Sequence, residues 1–505
     1  MGIPDDALRQ PLSYEDIKAL AVALGRPAET LIALAASNDP FYVVPRRQTQ
    51  AQWFATEVWP LLDIDESGGI HVRRVHYVLV SLPAKDRPRK PDGTAYENTS
   101  DDWDLLVAAS RDAHELALVD AGLFIDRRAA EPIVYIPEDE DSDATIDVVG
   151  GEINEQSESV PSFTYIPRYY TFPDLPGYSI TPPEIAEPYA VELWIEKSSM
   201  ADVLGPIARR YGVTLITGVG ELSLTRVHEL VERVSEHRRK TRIIYISDFD
   251  PAGNAMPVSI ARKIEFMLRR DGLDLDIRLD PLLLTREQVE HYRLPRIPIK
   301  DSERRKGAFE ERFGEGAVEL DALEALHPGE LARLVIERIE VYRAPAEATR
   351  GDIEGATYYF ERDASATREE LLAEHGDTLE NLRARFDEMQ AAIRPHQDAL
   401  AAIAAEFAER FSGPIAEHIA AINEQVAAFY EQATDVWSDI ADDLEDRAPD
   451  PDAADWPTPY DADEPDDPLF DSGRSYIEQI DRYKRHQGKP TTRRRKSNRN
   501  GGAAR

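Results

Sequence analysis

The chain contains no cysteine in its 505 residues. That absence removes disulfides, thiolate metal sites and cysteine nucleophiles together. Basic residues are scarce beside acidic ones, 59 against 95, which leaves a net charge of −36. A diffuse attraction to nucleic acid or to an anionic membrane is therefore excluded, and any contact with DNA has to come from local basic patches. Long apolar runs are missing as well. No segment reaches the roughly 20 apolar residues of a membrane span, and the N-terminus has no basic stretch leading into an apolar one. The expectation is a cytoplasmic protein without a membrane partner. There is no internal repeat and no glycine loop of the kind that cradles nucleotide phosphates.

The patterning that is present divides the chain, which is long enough for two or three domains. Residues 1–45 read as an N-terminal helical segment, with Ile17, Leu20, Ala21 and Leu24 on one stripe. Residues 46–136 mix helices with short strands. Residues 137–162, "PEDEDSDATIDVVGGEINEQSESVPS", have the composition of an acidic, mobile linker. Over 163–345 the apolar runs "AVELWIE", "VTLITG", "RIIYIS" and "LDIRLD" alternate with helical spacing, which predicts an α/β domain with a mostly parallel sheet covered by helices. Residues 351–445 read as a helical hairpin or coiled-coil arm. Leu379, Leu382, Phe386, Met389 and Ile393 recur at three and four residues, as do Ile415, Ile419, Ile422, Val426 and Phe429, with breaks expected at Pro395 and Pro414. Residues 446–505 are acidic, then basic, and are expected to be disordered apart from a short helix near Tyr476.

Ligands of parallel α/β sheets sit at the carboxyl ends of the strands, and there this sequence places acids. In "RIIYISDFDPAG" Asp248 and Asp250 follow a strand, with Pro251 where a helix should begin; Asp250 reads as its N-cap. In "VELWIEKSS" another strand of the unit ends on Glu196. If the two strands are neighbours, three carboxylates converge. Their mutual repulsion and hard oxygen donors suit Mg²⁺ or Mn²⁺, and such sites usually act on phosphate.

A Glu after the first strand, a Gly-containing turn after the second ("TGVGELSLT", with Gly218 and Gly220) and "DxDPxG" after the third resemble the Toprim domain, over roughly residues 185–300. The wording "VELWIEKSSMADVL" and "SDFDPAG" is most similar to the Toprim domain of the topoisomerase VI A subunit and its meiotic double-strand-break relative. By the resemblance Glu196, Asp248 and Asp250 are the metal-binding and acid/base carboxylates, and Gly253 belongs to the turn. It also implies a winged helix before the linker, carrying a nucleophilic tyrosine one residue after a pattern resembling Arg-Asp-Ile-Tyr. "HVRRVHYVLVS" offers Arg73 and Tyr77 at those places, with Arg74 where the family has an acid and His76 where it has an aromatic. In the family the metal comes from the other subunit's Toprim domain, so a homodimer is implied, and strand passage would require a separate ATPase subunit.

Helical geometry offers an independent check. At about 100° per residue Val72, Val75 and Leu79 share one stripe, while Tyr77 projects to the other side near Arg73 and Ser81. A free phenol of pKa about 10 is ionised to only about one part in a thousand at pH 7, a deficit of roughly 4 kcal/mol, which Arg73 could reduce. Candidate double-stranded DNA contacts are Arg74, then Lys85, Arg87, Arg89 and Lys90 in the loop after Tyr77, and Arg296, Lys300, Arg304, Arg305 and Lys306 after the sheet. The terminal "TTRRRK" is another, and the acidic segment before it could instead mask these patches. Three readings stand: tyrosyl transfer to DNA by an isomerase- or nuclease-like enzyme, metal-dependent hydrolysis with Tyr77 structural, and a non-catalytic DNA-binding or assembly subunit. An active protein of this kind would be nucleoid-associated in a bacterium or archaeon.

Overall fold

The computed structural model describes residues 12–28, 31, 35, 44–62, 71–120, 131–136, 141–150, 157–159, 165–218, 224–406 and 412–487. The chain divides into two units. One comprises Met1–Glu138, Glu187–Ala344 and Ala462–Arg505, and the other Asp139–Ala186 with Pro345–Asp461.

The first unit begins with α1 (Tyr14–Ala23), whose Ser13 and Asp16 form a reciprocal capping box. The expected stripe is real: Ile17 and Ala21 are buried, with Leu20 and Leu24 packed beside them. α2 (Pro45–Trp53), α3 (Val72–Ser81) and α4 (Ser100–Glu115) enclose Trp53, Phe54, Val75, Leu79, Tyr96 and Leu106. Between α3 and α4 the chain makes one antiparallel bridge, Arg89 with Ala95, in the loop that carries Lys85, Arg87, Arg89 and Lys90.

In the second unit, β1 (Thr145–Val149) pairs antiparallel with β2 (Gly177–Thr181). The stretch expected to be a linker therefore contributes a strand; "TIDVV" is too short for its alternation to stand out against the acidic and glycine residues around it.

The first unit then builds its sheet from β3 (Tyr189–Ile195), α5 (Ala201–Tyr211), β4 (Thr214–Thr217), α6 (Leu224–His237), β5 (Lys240–Ile246), α7 (Pro251–Asp271) and β6 (Ile277–Leu283). The strands run in the order β4-β3-β5-β6, all parallel, as the four apolar runs predict. Every residue of β3 is buried, the mark of a central strand covered on both faces. Alternation sorts the faces: Leu193, Ile195, Ile244 and Ile246 pack on one side, and Trp194, Ile216, Ile243 and Tyr245 on the other. Three shorter helices follow, α8 (Arg286–His291), α9 (Lys306–Phe313) and α10 (Leu320–Leu326), before α11 (Glu330–Glu374) runs on without interruption past Gly351.

α12 (Gly376–Glu406) and α13 (Ser412–Asp446) pack together in the second unit, and both predicted stripes are buried between them. Tyr165, Tyr170 and Phe172 join the same core. Pro395 lies inside α12 rather than ending it: one lost hydrogen bond in a 31-residue helix is tolerated where the stripe is packed on both sides. Pro414 falls in the first turn of α13, where its missing N–H breaks no bond.

Of the segment after 446, expected to be disordered, residues 462–487 are built into the first unit. β7 (Phe470–Asp471) adds to the sheet antiparallel to β6, and α14 (Tyr476–His486) follows. Leu469 and Phe470 are fully buried against the α7 side of the sheet. Low average hydrophobicity hid two apolar residues placed where the sheet needed an edge strand.

Candidate active site

Parallel pairing carries the acids together. β3 and β5 are neighbours, and the Glu196 amide donates to the Ile246 carbonyl at 3.1 Å, so the ladder continues to the residue that bears the first carboxylate. Past β5 the chain turns into α7. Asp250 is the N-cap, accepting from the Gly253 amide at 2.6 Å, and Pro251 takes the first helical position, as the sequence predicts. The turn is so tight that a Cβ on Gly253 would lie 2.1 Å from the Asp248 carbonyl oxygen, so any side chain there would displace Asp248.

Each carboxylate has a different environment. Asp248 is buried; it accepts from the Leu320 amide at the start of α10 at 2.7 Å and pairs with the Lys197 ammonium at 3.1 Å. Glu196 has one carboxylate oxygen, Oε2, buried with no hydrogen-bond partner. Burial, and then the charges of Asp250 and Asp248, push the Glu196 carboxyl up to about 7. Burial also raises Asp248, offset mainly by the Leu320 amide and Lys197, and raises Asp250, offset mainly by the Gly253 and Ala252 amides.

Three hard oxygen donors that repel one another, one of them orphaned, fit Mg²⁺ or Mn²⁺ in chemistry. They do not yet enclose a common point; among the described residues no set of three acidic or imidazole groups does. Instead Lys197 binds Asp248 and reaches Glu319 at 3.1 Å and Asp321 at 2.7 Å, a cluster that holds its pKa above the ordinary lysine value despite burial. Sequence reasoning missed Glu319 and Asp321. They lie over 120 residues downstream of Lys197, delivered by the pairing of Val318 with Phe249, and no local pattern announces that.

Beside Asp248 and Asp250 opens a cleft of about 530 Å³, lined also by Asn254, Arg312, Arg482 and Arg485. These too were absent from the sequence-based set, since α14 was read only as a short helix in a tail. The His486 imidazole lies 3.1 Å from the Asn254 carbonyl, and burial lowers its pKa to about 4.

Tyr77 stands on α3 as the helical geometry predicts: Val75 and Leu79 are buried and Tyr77 is 61 % exposed. Arg73 and Arg74 are exposed on the same helix. His76 is a core residue, its ring nitrogens 2.8 Å from the Tyr96 hydroxyl and 3.2 Å from Asn98 Oδ1. No contact joins Tyr77 to the carboxylates among the described residues.

The candidate DNA contacts separate into two groups. Arg87 donates to the Val80 and Leu82 carbonyls at the end of α3, Lys90 pairs with Asp102 at 2.5 Å, and Arg296 donates to the Gly314, Glu315 and Gly316 carbonyls beneath the Phe249 ring. These three have internal partners that help hold the fold. Arg89 reaches the Gly93 carbonyl, Arg305 pairs with Glu303, and Lys306 pairs with Asp301. Arg74, Lys85, Lys300 and Arg304 are exposed and have no carboxylate partner among the described residues. Gly220 and "TTRRRK" lie outside the described residues.

No protein-family model matches the chain, and no curated protein matches it.

Proposed function

We propose that the chain cleaves DNA in a metal-dependent phosphoryl transfer resembling that of the topoisomerase VI A subunit, with Glu196, Asp248 and Asp250 at the reacting phosphate and Tyr77 as nucleophile. The observation that carries this reading is the orphaned Oε2 of Glu196, buried where Asp248 and Asp250 converge at the carboxyl edge of a parallel sheet. The carboxylate also accepts from the Asp248 amide, so a single oxygen is left unsatisfied, at a cost of a few kcal/mol for which a bound ion or a catalytic role is a ready reason. Mg²⁺ or Mn²⁺ held by these three residues would neutralise charge developing on the phosphate oxygens. Where Asp248 and Asp250 alone hold the ion, Glu196, whose carboxyl is about half protonated at pH 7, is suited to hand a proton to the leaving sugar oxygen.

At the other end of the reaction, the Tyr77 oxygen forms a bond to phosphorus as the bond to the sugar oxygen breaks. Tyr77 is exposed enough to reach a backbone, and Arg73, one turn before it, can hold the phosphate and stabilise the phenolate. A second copy of the chain supplies the carboxylates to each tyrosine in this reading, because one copy shows no contact between them. That same lack of contact favours a second reading, hydrolysis by water at the carboxylates.

Supercoiled plasmid, purified protein and Mg²⁺, stopped with detergent and run with and without proteinase, test both readings. Tyrosyl transfer gives protein-linked ends that disappear in Tyr77→Phe. Protein-free cleavage that persists in Tyr77→Phe and vanishes in Asp248→Asn establishes hydrolysis. Cleavage retained in Asp248→Asn removes the carboxylate site from the reaction altogether.

A further inference from the structure

We infer that Arg482 and Arg485 of α14, with Arg312 of α9, form a phosphodiester-binding wall of the carboxylate cleft, and that Asp467 occupies that wall when no nucleic acid is bound. The inference rests on the nucleic-acid reading and names a binding surface outside the Toprim-like segment.

The wall is built around one carboxylate. Asp467 lies 3.1 Å from Arg482, 3.4 Å from Arg485 and 3.3 Å from Arg474. These three guanidiniums outnumber the carboxylate they surround by two, and Asp280, the next acid of the cleft near Arg482, is paired with Arg338. Arg482 and Arg474 have side chains only 17 % and 15 % exposed, fixed by bonds to the Asp467 and Pro468 carbonyls. Both guanidiniums are thus fixed in place before any ligand arrives, so a phosphate replacing the Asp467 carboxylate meets cations already held in position. Asp467 itself is half exposed, so a phosphate arriving from solvent can replace it.

Arg312 extends the wall. Its guanidinium donates to the Arg485 and His486 carbonyls, closing the last turn of α14, and no carboxylate pairs with it among the described residues. Burial alone lowers its pKa from the ordinary value. The position is set by His486, which touches Asn254 in the first turn of α7, four residues past Asp250. These arginines therefore line the same cleft as Asp248 and Asp250. A strand with its reacting phosphate at the carboxylates has its neighbouring phosphates within reach of the arginines.

The test is binding of a short labelled duplex to the full chain in chelator, by fluorescence anisotropy across a salt series. Asp467→Asn frees the arginines and tightens binding about threefold or more, whereas Asp466→Asn, with the same change of charge but no arginine partner, shifts it less than about twofold. Arg485→Glu weakens binding about tenfold and makes the slope of log K against log salt shallower by about one, and Arg485→Lys restores most of the loss. Arg485 is exposed, so its replacement leaves folding intact. Equal affinities for the Asp467 and Asp466 variants, or an unchanged salt slope in Arg485→Glu, overturn the wall. If those results come with normal cleavage, the wall fails while the carboxylate reading stands; a wild-type chain with no affinity for the duplex overturns both.

Discussion

Two glutamates four residues apart on the same buried stretch meet opposite fates. Glu192, inside β3, takes the Arg233 guanidinium at 2.9 and 3.1 Å and the Trp194 indole N–H at 2.7 Å. Glu196, at the edge, keeps an oxygen with no partner and lies beside two further acids. The interior of the sheet satisfies its charge and the carboxyl edge does not. The difference separates a glutamate that stabilises the fold from one that the fold tolerates for another purpose.

The largest expected break in that comparison is Arg233→Ala. It leaves Glu192 buried and unpaired, and urea unfolding should show a loss of about 3–5 kcal/mol. A loss under about 1 kcal/mol would mean that Glu192 is as unsupported as Glu196. Glu196→Gln should act in the other direction. The Glu196 carboxyl ionises near 7 in the fold rather than at 4.5, so its cost is absent below about pH 4.5 and grows as pH rises through about 7. Removing the charge should therefore stabilise the protein by about 2–3 kcal/mol at pH 8, leave stability unchanged near pH 4, and flatten the decline between. Parallel pH profiles for the two proteins would show that Glu196 is not held in its unfavourable charge state.

Smaller effects sharpen the contrast. Lys197→Ala strips the counter-charge from Asp248, Glu319 and Asp321, of which the last two are half exposed, and should cost only about 1 kcal/mol in low salt and less in high salt. Added Mg²⁺ should stabilise this variant more than the wild type, since the ion meets no ammonium at Asp248; equal shifts in melting temperature would separate Lys197 from the metal site. Tyr77→Phe, on an exposed helix face, should change stability by no more than about 0.5 kcal/mol while abolishing protein-linked ends. A larger loss would make Tyr77 a packing residue.

How much of this was legible depends on how far apart the cooperating residues lie. The parallel sheet, the cap at Asp250 and the stripe opposite Tyr77 are written in periods of two and 3.6 residues, and all appear in the structure. The pairing of Glu192 with Arg233, 41 residues apart, and of Lys197 with Glu319, 122 apart, follows from strand order instead. Composition misled in two places for one reason. "TIDVV" and "LF" at Leu469 and Phe470 are short apolar runs inside acidic stretches, and a window long enough to register the charge averages them away. The basic loop after Tyr77 carries a second use that its composition hides, because Arg87 bonds the Val80 carbonyl and Lys90 pairs with Asp102.

β7 reaches its place beside β6 from about 190 residues downstream, with Ser472 accepting from the Ile277 amide. During synthesis the edge of β6 therefore waits, open, until Phe470 and Asp471 have been translated, and an unpaired edge is an invitation to aggregation. The same delay has a protective side. Arg482 and Arg485 lie on α14, which follows the strand that closes the sheet, so the proposed arginine wall is assembled only after β7 has been made. Chains stalled on the ribosome before Leu469 should be protease-sensitive at β6 and bind duplex more weakly than the 505-residue chain.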